Sequence, residues 1–163
     1  DSSSPTGGGY FGVAKTNDCP VLLKRSGTDG NIVLFAKGGV GNVGGISVTS
    51  SATAYNTSSD YRLKNTIAPM KNALAKVAQL KPVTYKWNAD NSDGEGFIAH
   101  ELAEVCPHAV TGEKDAVDAD GKPVYQGIDT SFLVATLTAA IQEQQAIITQ
   151  LTTRIAALES KGA

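Results

Sequence analysis

The stretch Ser58-Ser59-Asp60-Tyr61-Arg62-Leu63-Lys64-Asn65 brings a hydroxyl, a carboxylate, a guanidinium and an ammonium into one short segment. A serine hydroxyl is a poor nucleophile at neutral pH and needs a base. A lysine serves as that base only when neutral, a form that burial or a nearby cation favours. Lys64 follows Ser59 by five positions, with Arg62 between them. Five positions do not share a strand face and match a helical turn poorly, so a turn must bring the two side chains together. On spacing alone, a solvated linker that carries Ser, Arg and Lys incidentally is the commoner outcome.

Other chemistries are poorly served. The glycine run GGVGNVGG, residues 38–45, has no following G-K-[ST] and opens no long helix, which argues against a phosphate site. Cys19 and Cys106 stand in different halves and read as idle or buried thiols rather than a disulfide framework. His100 and His108 are eight positions apart with no zinc-ligand pattern, so neither a metal nor a cofactor is expected. A net charge of −2 argues against a broad nucleic-acid footprint. No apolar run is long enough to span a bilayer. The opening DSSSPTGGGYFGV lacks the basic and apolar regions of a signal peptide and reads as the interior of a longer protein.

The seam at 58/59 divides two characters. Residues 1–58 are rich in Gly, Ser and Thr, with YFGVAK, CPVLLKR, NIVLFAK and GISVTS reading as strands and SGTDGN and KGGVGNVGG as turns. These strands are too short and few to bury a core by themselves. Beyond the seam, TIAPMKNALAKVAQL predicts a helix with Met70, Leu74, Val77 and Leu80 on one face and Pro69 near its start. KPVTYKWN predicts a strand with Val83, Tyr85 and Trp87 on one face, the two aromatics in the core. NADNSDGEG reads as a polar turn, GFIAHELAEVCP as a short helix stopped by Pro107, and Asp120-Gly121 as a hairpin turn.

The clearest element covers about residues 131–160, with Thr130 or Ser131 as its cap. Val134, Ile141, Ile148 and Ile155 fall at heptad position a; Leu137, Leu151 and Leu158 fall at d, where Gln144 is the one polar member. So narrow an apolar stripe favours pairing between chains over folding back on one domain. The expected fold class is therefore α+β: a β-rich segment over 1–58 whose strands need neighbours from further repeats or from other subunits, then a small mixed α/β domain over 59–163 ending in a coiled-coil helix.

SSDYRLKNTIAPM resembles the opening of the intramolecular chaperone domain of endosialidases and phage tail fibres or tailspikes, the S74 peptidase family. VTYKWN, GFIAHELAEVCPHAV and YQGIDTSFLVATLTAAIQEQ continue the resemblance in the family's order over nearly all of residues 59–150. The resemblance implies a homotrimer in which residues 1–58 are a β-rich stalk end of interwoven trimeric strands; the domain registers this upstream β-stalk of the same polypeptide and then releases itself by one self-inflicted cut. Carried over, Ser59 is the nucleophile, Lys64 its general base and Ser58–Ser59 the scissile bond. Asp60 and Arg62 orient the loop, and His100 stands where the family commonly has Gln, which leaves two roles open, help in catalysis or packing and orientation, with slightly more weight on the second. It further implies assembly in the host bacterial cytoplasm, with the stalk retained in the virion. Partners other than the chain itself, nucleic acid and membrane included, are not expected.

Such a device suits the physics of an interwoven stalk. Three chains joined by long-range contacts nucleate slowly, and a one-residue slip reverses every strand's faces. A clamp that fixes register raises the effective concentration of the stalk ends, and cutting it away afterwards makes stability kinetic. Two rivals remain: a trimerising module that never cuts, and a receptor- or glycan-binding tip on a coiled-coil handle. The second has only Tyr10, Phe11, Phe35 and Tyr55 to offer as aromatic platforms in residues 1–58.

Overall fold

The computed structural model describes residues 23–162. The chain divides into two compact units, the first ending at Ile67 and the second beginning at Ala68. The YFGVAK strand, Cys19 and the start of CPVLLKR lie outside the described residues; Leu23, Lys24 and Arg25, the rest of that predicted strand, have no regular structure.

The first unit carries a three-stranded antiparallel meander, β1 (Gly30–Lys37), β2 (Gly41–Val48) and β3 (Thr53–Thr57), in the order β1-β2-β3. Ile46 lies opposite Val33 on one side and Tyr55 on the other. NIVLFAK and GISVTS are strands as expected, but the glycine run is mostly strand rather than turn. A Cβ on Gly44 would stand 2.6 Å from the Asn56 carbonyl oxygen, and one on Gly45 2.6 Å from that of Val33. The glycines are there to let neighbouring backbones approach. β3 has no strong apolar signal and was not foreseen. Leu34, Phe35, Val43 and Tyr55 are all exposed, so this single layer buries little in one chain.

In the second unit, α1 (Ala73–Val77) packs on α3 (Val134–Gly162), and α2 (Ala99–Val105) runs through a short 3-10 turn at Pro107–Ala109. β4 (Val83–Lys86) pairs with β5 (Asp93–Gly96), and β6 (Val110–Thr111) with β7 (Gly127–Ile128), all antiparallel. Leu102, Cys106, Ala109 and Leu133 form the core, with Leu80, Phe97 and Val110 against it. Small antiparallel sheets plus a long terminal helix make this an α+β chain, as the sequence predicts.

Several local expectations are corrected. The helix predicted over 66–80 shrinks to Ala73–Val77, because Thr66 and Asn72 take positive φ angles of 51° and 59°, which no right-handed helix continues. Met70 and Pro69 therefore precede the helix. Asp93–Gly96 is a strand, not turn, and the Tyr85 ring lies over Gly94, where a Cβ would come within 2.5 Å of it. Trp87 is 56% exposed rather than core; it sits past the end of β4 and meets Tyr85 edge-to-face at 5.2 Å. Asp129, not Thr130 or Ser131, caps the entry to the long helix, accepting from the Ser131 N–H at 2.9 Å. Pro107 ends α2 and the Asp118–Lys122 segment forms the expected turn, closed by the Gly121 N–H donating to the Asp118 carbonyl at 3.0 Å.

The Asn72 side chain leaves the start of α1 uncapped. The cap comes from 70 residues away: Glu143 Oε1 accepts from the Ala73 N–H at 3.0 Å and Oε2 from the Leu74 N–H at 2.8 Å. These backbone donors hold the Glu143 carboxyl below its usual range. A lowered carboxylate contributes stability that is complete above the ordinary value of 4.5 and lost as pH falls through the lowered one. Glu143→Gln should therefore lower the thermal midpoint at pH 7 and flatten its acid dependence below that value, measured by circular dichroism across pH. Leu102→Ala, at a position 2% exposed, should destabilise the second unit by about 2–5 kcal/mol in a denaturant titration.

Candidate active site

The seam is built by two anchors, one on each side of the Ser58–Ser59 bond. On the amino side, Ser58 extends the meander by one more bond: its N–H donates to the Val43 carbonyl at 3.1 Å, and its hydroxyl to the Asn42 carbonyl at 3.3 Å. On the carboxyl side, Asp60 caps a 3-10 turn over Tyr61–Leu63, with Oδ1 accepting from the Arg62 N–H at 2.9 Å. The Arg62 guanidinium closes back on the same carboxylate, Nε on Oδ1 at 2.9 Å and a terminal nitrogen on Oδ2 at 2.8 Å. This fork gives the pair a fixed geometry that a lysine could not supply. The Lys64 N–H then donates to the Tyr61 carbonyl at 3.0 Å, ending the turn with Lys64 in extended backbone.

The consequence is the contact that spacing alone left open. The Lys64 Nζ donates to the Ser59 Oγ at 2.7 Å across the five-position separation. The turn shortens the path between two residues that neither a strand nor a helix would align. Both side chains are exposed in the single chain. Asp60 sits below the usual carboxylate range, first because of the Arg62 side chain and then its backbone N–H. The clasp is therefore whole above about the ordinary value of 3.8 and opens as pH falls through the lowered one.

Ser58, Ser59, Asp60, Arg62 and Lys64 are thus brought together in the first unit. His100 belongs to the second, half-buried on α2, where it lines an open groove with Trp87, Phe97, Tyr125 and Ile128. The heptad residues Val134, Leu137, Ile141, Gln144, Ile148, Leu151, Ile155 and Leu158 all lie on α3, every one exposed. Sequence reasoning missed the role of Asn42 and Val43 in holding Ser58, since a backbone acceptor leaves no residue-type signal. It also missed Glu143 as a cap, because its partners lie far away in sequence. Among the described residues, no group of His, Cys, Asp and Glu could hold a metal ion.

Residues 59–111 match the family model Peptidase_S74, whose description is chaperone of endosialidase. This stretch is similar to that family's domain. The match begins at Ser59, the residue that Lys64 contacts, and it bears out the S74 resemblance over those positions. No curated protein matches the chain. The matched residues include Ser59 and Lys64 and run on through Leu102, Cys106 and Ala109 of the second unit's core.

The clasp has a direct test that needs no activity. Asp60→Ala removes both the cap and the partner of Arg62, so the Leu63 and Lys64 amides should exchange with solvent several-fold faster. Hydrogen exchange followed by NMR would read this; unchanged rates would mean that the turn holds without the clasp.

Proposed function

We propose that this chain is an intramolecular chaperone that assembles as a homotrimer, registers the upstream β-stalk of the same polypeptide and cuts itself free between Ser58 and Ser59. The observation that carries the proposal is the 2.7 Å contact between Lys64 Nζ and Ser59 Oγ, at the first residue of the family match. In the proposed reaction neutral Lys64 accepts the Ser59 hydroxyl proton as Oγ adds to the Ser58 carbonyl carbon. Lys64 returns that proton to the Ser59 nitrogen and the C–N bond breaks. The resulting ester, Ser58 carbonyl on Ser59 Oγ, is hydrolysed by water to a Ser58 carboxylate and a free Ser59 amine. This is one turnover per chain, a self-cleaving serine endopeptidase with a Ser-Lys dyad.

The anchors suit that chemistry. Ser58 is pinned to β2 and the Asp60–Arg62 clasp fixes the turn, so nucleophile and carbonyl are adjacent and the base is positioned. Asp60 and Arg62 orient the turn, while His100 is assigned a packing role in its own unit. The exposed a/d stripe of α3 supports the trimer, and the single-layer meander, with exposed apolar residues, supports a stalk core shared between chains. By the same family logic, assembly occurs in the host bacterial cytoplasm, the stalk stays in a phage tail fibre or tailspike and the chaperone part is released.

One observation favours a second reading. The dyad is solvent-exposed in the single chain, without the burial that activates a lysine as a base. A module that trimerises without cutting fits that exposure; a cutter requires a neighbouring chain to cover the turn once the trimer forms.

Intact mass under denaturing conditions separates the two. Wild type should give two fragments divided between Ser58 and Ser59. Ser59→Ala should stay whole, and Lys64→Ala should slow the cut by about 10²- to 10⁴-fold. A wild-type chain that stays intact through long incubation as a folded trimer would make the domain a clamp rather than a protease.

A further inference from the structure

α3 presents two different faces. Leu133, Thr136 and Ala140 are buried, and half-buried Glu143 caps α1, so positions c and g of the heptad serve the chain's own domain. At about 100° per residue, the a/d seam lies on an adjoining face. That seam has no cover: Val134, Leu137, Ile141, Ile148, Leu151, Ile155 and Leu158 are each 42–65% exposed. From Gln144 to Gly162 the helix is exposed on every side. In proteins most helical stability comes from packing an apolar face, and this half has such a face with nothing of its own chain's described residues against it.

The charges say which partner. Arg154 falls at g and Glu159 at e of the following heptad, five positions on. In a parallel, unstaggered coiled coil, g of one helix faces that e position of its neighbour. Neither residue has an ion-pair partner among the described residues of its own chain. A slip of one heptad brings Arg154 opposite Thr152 instead, and sets Gln144 level with Leu137 or Leu151. An antiparallel neighbour breaks the g-to-e relation altogether. Only one arrangement pairs the charges and stacks the glutamines at one level, where their amides satisfy one another.

We infer that α3 encodes a parallel, unstaggered association with further copies of this chain, in which the Gln144 side chains share one layer and Arg154 of each copy pairs with Glu159 of the next. The inference rests on the trimer proposed above and adds what sets its register. A seven-residue slip would displace one helix against its neighbour by about 10 Å along the axis.

The test uses the full chain in two charge-reversed forms, Arg154→Glu and Glu159→Arg, one of them labelled with nitrogen-15. Alone, each should show a lower thermal midpoint than wild type, the deficit shrinking as salt is raised. Refolded together, they should form mixed trimers in excess of the binomial composition by native mass spectrometry, and the double reversal in one chain should recover the wild-type midpoint. For register, Leu158→Cys chains should form a 158-to-158 interchain disulfide in high yield, and adding Gln144→Leu should reduce that yield. Wild-type trimers with binomial mixing and no recovery in the double reversal would overturn the pairing and leave the trimer standing. A disulfide yield that Gln144→Leu leaves unchanged would remove Gln144 from the register. A wild-type chain that sediments as a monomer would overturn the trimer itself.

Discussion

The carboxylate of Glu143 holds the second unit together across the longest reach in it. By accepting from the Ala73 and Leu74 amides it starts a helix that has no local cap, and it ties that helix to the long one. α1 is only one and a half turns long and would not persist on propensity alone. Its start exists because Asn72 turns the chain with positive φ and presents two unsatisfied amides to an acidic side chain. Glu143 stands one residue before Gln144, so the same turn of α3 carries the tie to its own domain and the polar residue of the a/d seam. The helix is an intramolecular brace on one side and an open edge on the other.

That division explains how little one chain buries. The core of the second unit is a small cluster around Leu102 and Leu133, while the first unit is a single sheet with both outer strands unpaired within the described residues. Under the proposed function, copies of the chain would cover the surfaces that one chain leaves open. Its dyad follows the same pattern. Ser59 and Lys64 are aligned by local bonds alone, yet both side chains stand exposed to water in the single chain. Under the proposed function, alignment belongs to the single chain and activation to the assembly. The cut would then wait for the trimer without any separate trigger.

What the sequence determined by itself was whatever depends on residue type at short range. The Ser-Asp-Arg-Lys cluster, the turn at Asp118–Lys122, the stop at Pro107 and the heptads of α3 were all legible, because turn chemistry and periodicity act within a few residues. The S74 motifs were legible for the same reason, and the family match over 59–111 falls on the three that precede Tyr125. The tertiary structure decided whatever depends on a distant neighbour or on backbone angles. It turned half of a predicted helix into an irregular lead-in, since Thr66 and Asn72 left the right-handed region. It made strands of glycine-rich segments, where the absence of a side chain is what lets another backbone or a tyrosine ring come close. It left Trp87 more than half exposed, just past the end of β4. Above all it closed five positions into a 2.7 Å contact, which required an Asp60–Arg62 clasp around a 3-10 turn that no periodicity in the sequence announces.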